Sequence, residues 1–159
     1  MCREAAVLES TAQVPGVQLV QMWVCDLVMS QTFSQLRIDN GELIIMENVV
    51  EDKSFRFAIR IVRLYQYLRV SKKEFVLSKQ LLRSGTSIGA NIAEAQQAQS
   101  RADFVSKINI ALKEAAETEY WLRLLRATDF LEEHEFSSVF NDCVQVKKLL
   151  VSIVKTSRK

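Results

Sequence analysis

The chain has 159 residues, of which 48% are apolar and 25% charged, with a formal charge of +2. That length supports one domain with a core of its own, and the balance excludes a disordered or fibrous chain. One proline and four glycines leave little material for loops. The three cysteines, Cys2, Cys25 and Cys143, have neither zinc-ligand spacing nor the pattern of a disulfide framework, which points to a reducing cytoplasm.

Charge is uneven along the chain. Residues 1–45 carry two basic and five acidic side chains, a balance of −3, whereas residues 46–159 carry 19 basic and 14 acidic ones, a balance of +5. The first segment also lacks a consistent hydrophobic period. Its apolar run, residues 17–30, is short for a membrane span and is interrupted by Gln21 and Asp26, and no basic leader precedes it. Asn40-Gly41 is a turn dipeptide, so Ile38 and Leu43-Ile44-Ile45 are expected to pair as a small hairpin. Two readings of residues 1–45 stand: an N-terminal extension, or upstream sequence before a true start at Met46. The missing period favours the second, and residues 46–159 form the expected domain.

From there the pattern is helical to the end. A first helix is expected from about Lys53 to Val70, with the seam Phe57, Ile61, Leu64 and Leu68 widened by Ala58 and Tyr65. Lys53, Arg56, Arg60 and Arg63 recur at helical spacing on another face. A second helix, from about Lys73 to Gln97, has the seam Val76 or Leu77, Leu81, Ser84, Ile88, Ile92 and Ala95. It carries Gly85, Gly89 and Ala93 four apart, a ridge without side chains that admits a neighbouring helix unusually closely. Arg83, Ser87, Asn91 and Glu94 form a polar stripe beside it. Each glycine inside a helix costs about 1 kcal/mol relative to alanine, but the apolar period keeps its phase across both, so one continuous helix is expected.

Ser100 caps the third helix, with Asp103 three residues on. Its seam of Phe104, Ile108, Ala111, Ala115, Thr118, Leu122 and Leu125 is a heptad pattern. Val105, Leu112, Ala116, Trp121 and Leu124 lie outside that seam, and this surplus suggests a subunit interface. A fourth helix, from about Glu133 to Lys155, offers Phe136, Phe140, Cys143, Val146 or Lys147, Leu150 and Ile153 or Val154. Four amphipathic helices on short connections pack as an all-α, antiparallel up-down four-helix bundle.

Catalytic patterns are weak. Ser84-Gly85-Thr86-Ser87-Ile88-Gly89 lacks the Gly-Lys-Ser/Thr ending of a phosphate loop and follows no strand. The lone His134 sits among Glu132, Glu133 and Glu135, where a solvated histidine is expected. Glu114 and Glu117 have no histidine partner for a carboxylate-bridged metal site, and are better suited to pair with a cation of another helix or subunit, or to face water. No cofactor or metal is implied. The basic stripe Lys53, Arg56, Arg60 and Arg63, extended by Lys79, Arg83, Lys107, Lys113, Arg123 and Arg126, could follow a phosphate backbone, with Tyr120 and Trp121 available to stack on bases. The competing reading of such a stripe is a solvated helix face, and of such aromatics, core.

The run from Leu81 to Ala95, LLRSGTSIGANIAEA, resembles the signature of the bacterial four-helix-bundle proteins called 23S rRNA intervening-sequence proteins. Ser54 to Ala58, Asp103-Phe104 through Lys113-Glu114, and Glu117 to Leu122 resemble the same family, so the likeness covers about residues 46–157. It implies an up-down bundle assembling as a ring-shaped homopentamer with no enzymatic activity. It also implies partners of the kind met by relatives that serve diversity-generating retroelements, where a basic pentamer binds nucleic acid and a reverse transcriptase.

Residues and resemblance together lead first to a non-enzymatic, oligomeric bundle that binds RNA or DNA without sequence preference. The binding residues expected are Lys53, Arg56, Arg60, Arg63, Arg83, Lys107 and Lys113. Arg83, Ser87, Asn91, Glu94 and Glu117 would form a polar cleft, and Gly85, Gly89 and Ala93 a close helix contact. The alternative is a protein-interaction scaffold with no nucleic-acid affinity of its own. A third reading is a small-ligand site at Arg83, Asn91, Glu94 and Glu117.

Overall fold

A computed structural model describes residues 42–157, all of them in one unit spanning 38–159. Four helices account for it: α1 (Glu42–Val70), α2 (Leu77–Ala95), α3 (Arg101–Ala127) and α4 (Glu133–Ser157). Each helix packs on its two neighbours, α1 on α2 and α4, α3 on α2 and α4. The pairings Arg83–Glu117 and Glu94–Lys107 make α2 and α3 antiparallel, and Lys53–Gln145 and Arg60–Asp142 do the same for α1 and α4. The expected all-α up-down bundle is the fold.

The core follows the heptad seams. Val50, Phe57, Ile61, Leu64 and Leu68 of α1 are buried with Leu81, Ile88, Ile92 and Ala95 of α2. From α3 come Ile108, Ala111, Ala115, Leu122 and Leu125; Phe104, at the head of the seam, is only half-buried. On α4 the core positions are Val139, Cys143, Val146, Leu150, Ile153 and Val154. Phe136 and Phe140 therefore do not lead that seam as expected. They lie half-buried and packed on each other, ring centroids 4.8 Å apart, while the slimmer Val139 takes the core position.

Two buried hydroxyls fall in the seams, and both are satisfied. Ser84 Oγ donates to the Gln80 carbonyl at 3.0 Å, and Thr118 Oγ1 lies 3.1 Å from Ser84 Oγ across the α2–α3 contact. A buried polar group that keeps its hydrogen bonds avoids the desolvation penalty that would otherwise oppose packing.

Three boundaries differ from the sequence expectations. Leu43-Ile44-Ile45 is the start of α1, not a strand, and Met46 lies inside that helix; Ile38 is outside the described residues. Extending an existing helix adds a hydrogen bond per residue fixed, whereas a hairpin must be nucleated and needs a partner strand. The second helix begins at Leu77 instead of Lys73, and ends at Ala95. Lys73 is left-handed (φ 55°), and Glu74 then closes the turn: its carboxylate accepts the backbone N–H groups of Val76, Leu77 and Ser78 at 2.9, 2.8 and 2.6 Å. These are donors that the first turn of a helix leaves without partners. Ser100 caps α3 as expected, accepting from the Asp103 N–H at 3.2 Å.

α2 runs unbroken through both glycines. A Cβ on Gly85 would stand 2.8 Å from Ile61 Cγ2 and 2.9 Å from its Cγ1, closer than side chains tolerate. At Gly89 the nearest atom would be Ser54 Oγ at 3.7 Å, an ordinary contact. The two glycines should therefore respond oppositely. Gly85→Ala gains about 1 kcal/mol of helix propensity but overpacks a stiff β-branched neighbour at a cost of about 1–3 kcal/mol, so the net effect is destabilising. Gly89→Ala keeps the gain and stabilises by up to about 1 kcal/mol. Urea denaturation of the two variants checks the signs.

Glu74 gives a pH prediction. Burial would raise its carboxyl pKa, but the three backbone N–H donors and Ser78 overcome that and hold it below the ordinary carboxylate range. A folded-state pKa below the unfolded one contributes stability that is complete above the unfolded pKa and lost as pH falls through the folded one. Glu74→Gln should cost about 1–2 kcal/mol near neutral pH and flatten the loss of stability on acidification. Thermal melts from neutral to acid pH read both effects.

Candidate functional site

The polar stripe of α2 faces α3. Arg83 Nη2 donates to Glu117 Oε1 at 2.8 Å, and Trp121 Nε1, one turn along α3, donates to the same oxygen at 3.1 Å. About three turns further down the seam, Lys107 donates to Glu94, which raises the lysine pKa. Asn91 Nδ2 donates to the Ser87 carbonyl at 2.8 Å. The residues expected to line a cleft thus come together along one seam. Four of them, however, are already engaged: Arg83 and Glu117 with each other, Glu94 with Lys107, and Asn91 with its own helix. Glu114 Oε2, one turn before Thr118, is shielded from solvent with no hydrogen-bond partner among the described residues.

The basic stripe of α1 meets a similar fate. Lys53 Nζ reaches across to Gln145 Oε1 at 2.9 Å, and Arg56 pairs with Asp52 on its own helix at 3.0 Å. Arg60 is half-buried against α4, where it donates to Asp142 and, at 2.7 Å, to Ser138 Oγ. Arg63 is half-buried and partnered. Of the seven expected nucleic-acid contacts, Arg56, Arg60, Arg83 and Lys107 are paired with carboxylates. Lys113 is exposed. On the α3–α4 side, Glu119 holds both Arg123 and Lys147 at 2.5 Å.

Other groups with catalytic potential are quiet. Burial pushes the Cys143 thiol up to about 12, and its Sγ lies 3.6 Å from the Ala115 carbonyl. His134 is exposed, 3.7 Å from Glu132. Among the described residues no cluster of His, Cys, Asp or Glu could hold a metal ion, and no helix is long and apolar enough to cross a membrane.

Two features escaped the sequence reading. The surplus apolar surface is shared between α3 and α1: on α3 Val105, Leu112, Trp121 and Leu124 are half-covered while Ala116, Ile110 and Tyr120 are exposed, and on α1 Phe55, Ile59 and Val62 are 66%, 39% and 37% exposed. Their spacing of four and three was present in the sequence but was overshadowed by the stronger core seam beside it. Phe55 also lines a groove of about 430 Å³ between α1 and α2, walled by Ala58, Gly89, Ala90 and Ala93, with Glu51 and Asp52 among the other residues lining it. The second feature is the α1–α2 connection, where Lys72, Lys73 and Phe75 follow Arg69 and Val70.

This geometry bears on the chain's relatives. A family model described as 23S rRNA-intervening sequence protein matches residues 46–152. The chain belongs to that family. Within the solved structures, a protein of unknown function from the S23 ribosomal protein family of Bacteroides thetaiotaomicron VPI-5482 is 62% identical, with a TM-score of 0.69. The match covers 69% of this chain and 98% of that one. No curated protein matches the chain. The family match begins inside α1 and runs through all four helices, so the seams described above are features of the family portion of the chain.

Two of the three arginines in the α1 stripe, Arg56 and Arg60, should separate structure from surface charge. Arg60→Glu places a carboxylate beside Asp142 and removes the bonds to Ser138, and should lower stability by about 1–2 kcal/mol. Arg56→Glu, on an exposed intrahelical pair, should change it by less than about 0.5 kcal/mol. Parallel denaturant melts of the two variants check the difference.

Proposed function

We propose that this family member works without catalysis, as a self-assembling bundle whose oligomer presents a binding surface to a protein partner. The observation that carries this reading is the α1–α2 face. Phe55 stands out from α1 at a trough lined by Gly89, Ala90 and Ala93, and Ile59 and Val62 leave further apolar surface exposed on the same helix. Protruding apolar side chains and a small-residue trough are two different surface features, so the knobs of one copy can enter the trough of the next in a heterologous contact. Apolar side chains left in water favour association by about 25 cal/mol per Å² covered. A head-to-tail contact between copies closes a ring when the rotation permits, which agrees with the homopentamer that the family resemblance implies. A reverse transcriptase is the kind of protein partner that the same resemblance brings.

Binding of RNA or DNA through basic surface is the second reading. It is favoured by the surplus of 19 basic over 14 acidic side chains in residues 46–159. The carboxylate partners of Arg56, Arg60, Arg83 and Lys107 count against the expected sites. Affinity of the wild-type chain for RNA and DNA at two salt concentrations decides it, since phosphate contacts weaken in proportion to the counterions released.

Self-assembly is tested by light scattering on a sizing column. The wild-type chain should elute at a multiple of its 18.2 kDa mass. Ala90→Glu and Phe55→Glu, both at exposed positions, should give monomers of unchanged helicity. A wild-type monomer at high concentration, or variants that still assemble, would overturn the assembly surface.

A further inference from the structure

We infer that the corner joining α1 to α2 is a docking site for single-stranded nucleic acid, an inference that rests on the nucleic-acid reading above and gives it a place. Between Arg69 and Lys79 lie four cations, Arg69, Lys72, Lys73 and Lys79, and one carboxylate, Glu74. That carboxylate is 7% exposed and consumed by three backbone N–H groups, so it does not serve as a surface counterion. Among the described residues Arg69 meets aromatic groups: its guanidinium lies 5.5 Å from the Tyr65 ring centre and 5.7 Å from that of Phe75, and it donates to the Tyr65 hydroxyl at 3.2 Å. Lys72 sits 5.9 Å from the ring centre of Tyr67. Lys73 and Lys79 are exposed. Arg60, Arg83, Lys107 and Lys147 of the helical seams are spoken for by carboxylates, whereas among the described residues Arg69 and Lys72 of the corner lie against aromatic rings and Lys73 and Lys79 face solvent, with their charge open to an outside anion.

The corner also offers apolar surface. Phe75 is 49% exposed, flanked by Val70 at 68% and Val76 at 70%. An exposed aromatic ring beside cations matches the chemistry of a single strand, whose phosphates need positive charge and whose unstacked bases need a flat apolar platform. A duplex keeps its bases stacked and offers the ring nothing. The left-handed Lys73 and the Glu74 cap fix the backbone on either side of these groups, so the platform is held before any ligand arrives. Burial raises the Tyr67 hydroxyl pKa, and Glu135 and Glu132 raise it further, so negative charge borders the site where α4 begins.

Fluorescence anisotropy of the full chain with a labelled single strand of roughly 20 nucleotides, and with the same strand as a duplex, tests the site. The wild-type chain should prefer the single strand. Lys72→Gln with Lys73→Gln should weaken binding about tenfold or more and reduce the slope of log affinity against log salt by about 1.4, as expected for two phosphate contacts on a single strand. Phe75→Leu, which keeps apolar volume but removes the ring, should weaken the single strand by about fivefold or more and leave the duplex unchanged. Lys148→Gln with Lys155→Gln, on α4, matches the charge change and should have little effect. Wild-type binding that the corner variants leave intact overturns this site while sparing the nucleic-acid reading. Absence of wild-type binding at low salt overturns both. Failure to bind the strand together with sedimentation on phosphatidylserine vesicles overturns the site in favour of a membrane surface.

Discussion

The close approach of α1 and α2 at Gly85 sets the frame for the rest of the bundle. No side chain fits between Gly85 and Ile61, and Ile61 is wholly buried there. With α1 drawn in at that point, Leu81, Ile88 and Ile92 on the same helix are committed to the core, and Ser84, adjacent to the glycine, is carried into the interior, where Thr118 meets it. The helical cost of glycine is thus offset by packing that alanine would obstruct. The same rotation of α2 turns Arg83 and Glu94 toward α3, where Glu117 and Lys107 meet them.

Ion pairs of this exposure contribute little to stability, commonly between nothing and about 1 kcal/mol each. Their larger consequence here is electrostatic. A guanidinium held by a carboxylate adds little to the potential felt by a distant phosphate, so a count of basic residues overstates what the surface can offer. Pairing removes Arg60 to the α1–α4 seam, Arg83 and Lys107 to the α2–α3 seam, and Lys147 to the α3–α4 seam. Bundle assembly therefore decides which charges remain available.

The fold was legible because heptad periodicity is a local property repeated many times. Each of Phe57, Ile61, Leu64 and Leu68, and each of Ile108, Ala111, Ala115, Thr118, Leu122 and Leu125, is buried as its spacing requires. Ser100 was legible as a cap because the residue and its partner Asp103 are adjacent in the chain. The start of α2 was not, since Glu74 acts from outside the helix in place of a side chain at the cap position, Val76. Phe136 and Phe140 misled because hydrophobicity does not report volume, and the narrow core position on α4 is filled by Val139. The polar stripe of α2 was visible as a stripe, but its partners on α3 lie 34 and 13 residues away, and periodicity carries no information about which stripe meets which.

What remains for function concentrates on one hairpin. The seams involving α3 or α4 are clipped by paired side chains. The α1–α2 pair instead has a groove with exposed apolar walls midway and an aromatic, cation-rich corner at its turn. The groove follows from the close approach of the two helices. Close helices with small residues leave a trough on the outside, because Ala90 and Ala93 extend too little to fill it. The corner, in turn, is tied down by Glu74, whose carboxylate is turned to the backbone of α2 and forms no direct ion pair with Lys72 or Lys73 beside it. Assembly through the trough and anion binding at the corner would use different parts of the same hairpin. A ring of copies would then repeat the corner at regular intervals, so that a strand spanning several corners gains by effective concentration what each isolated contact lacks.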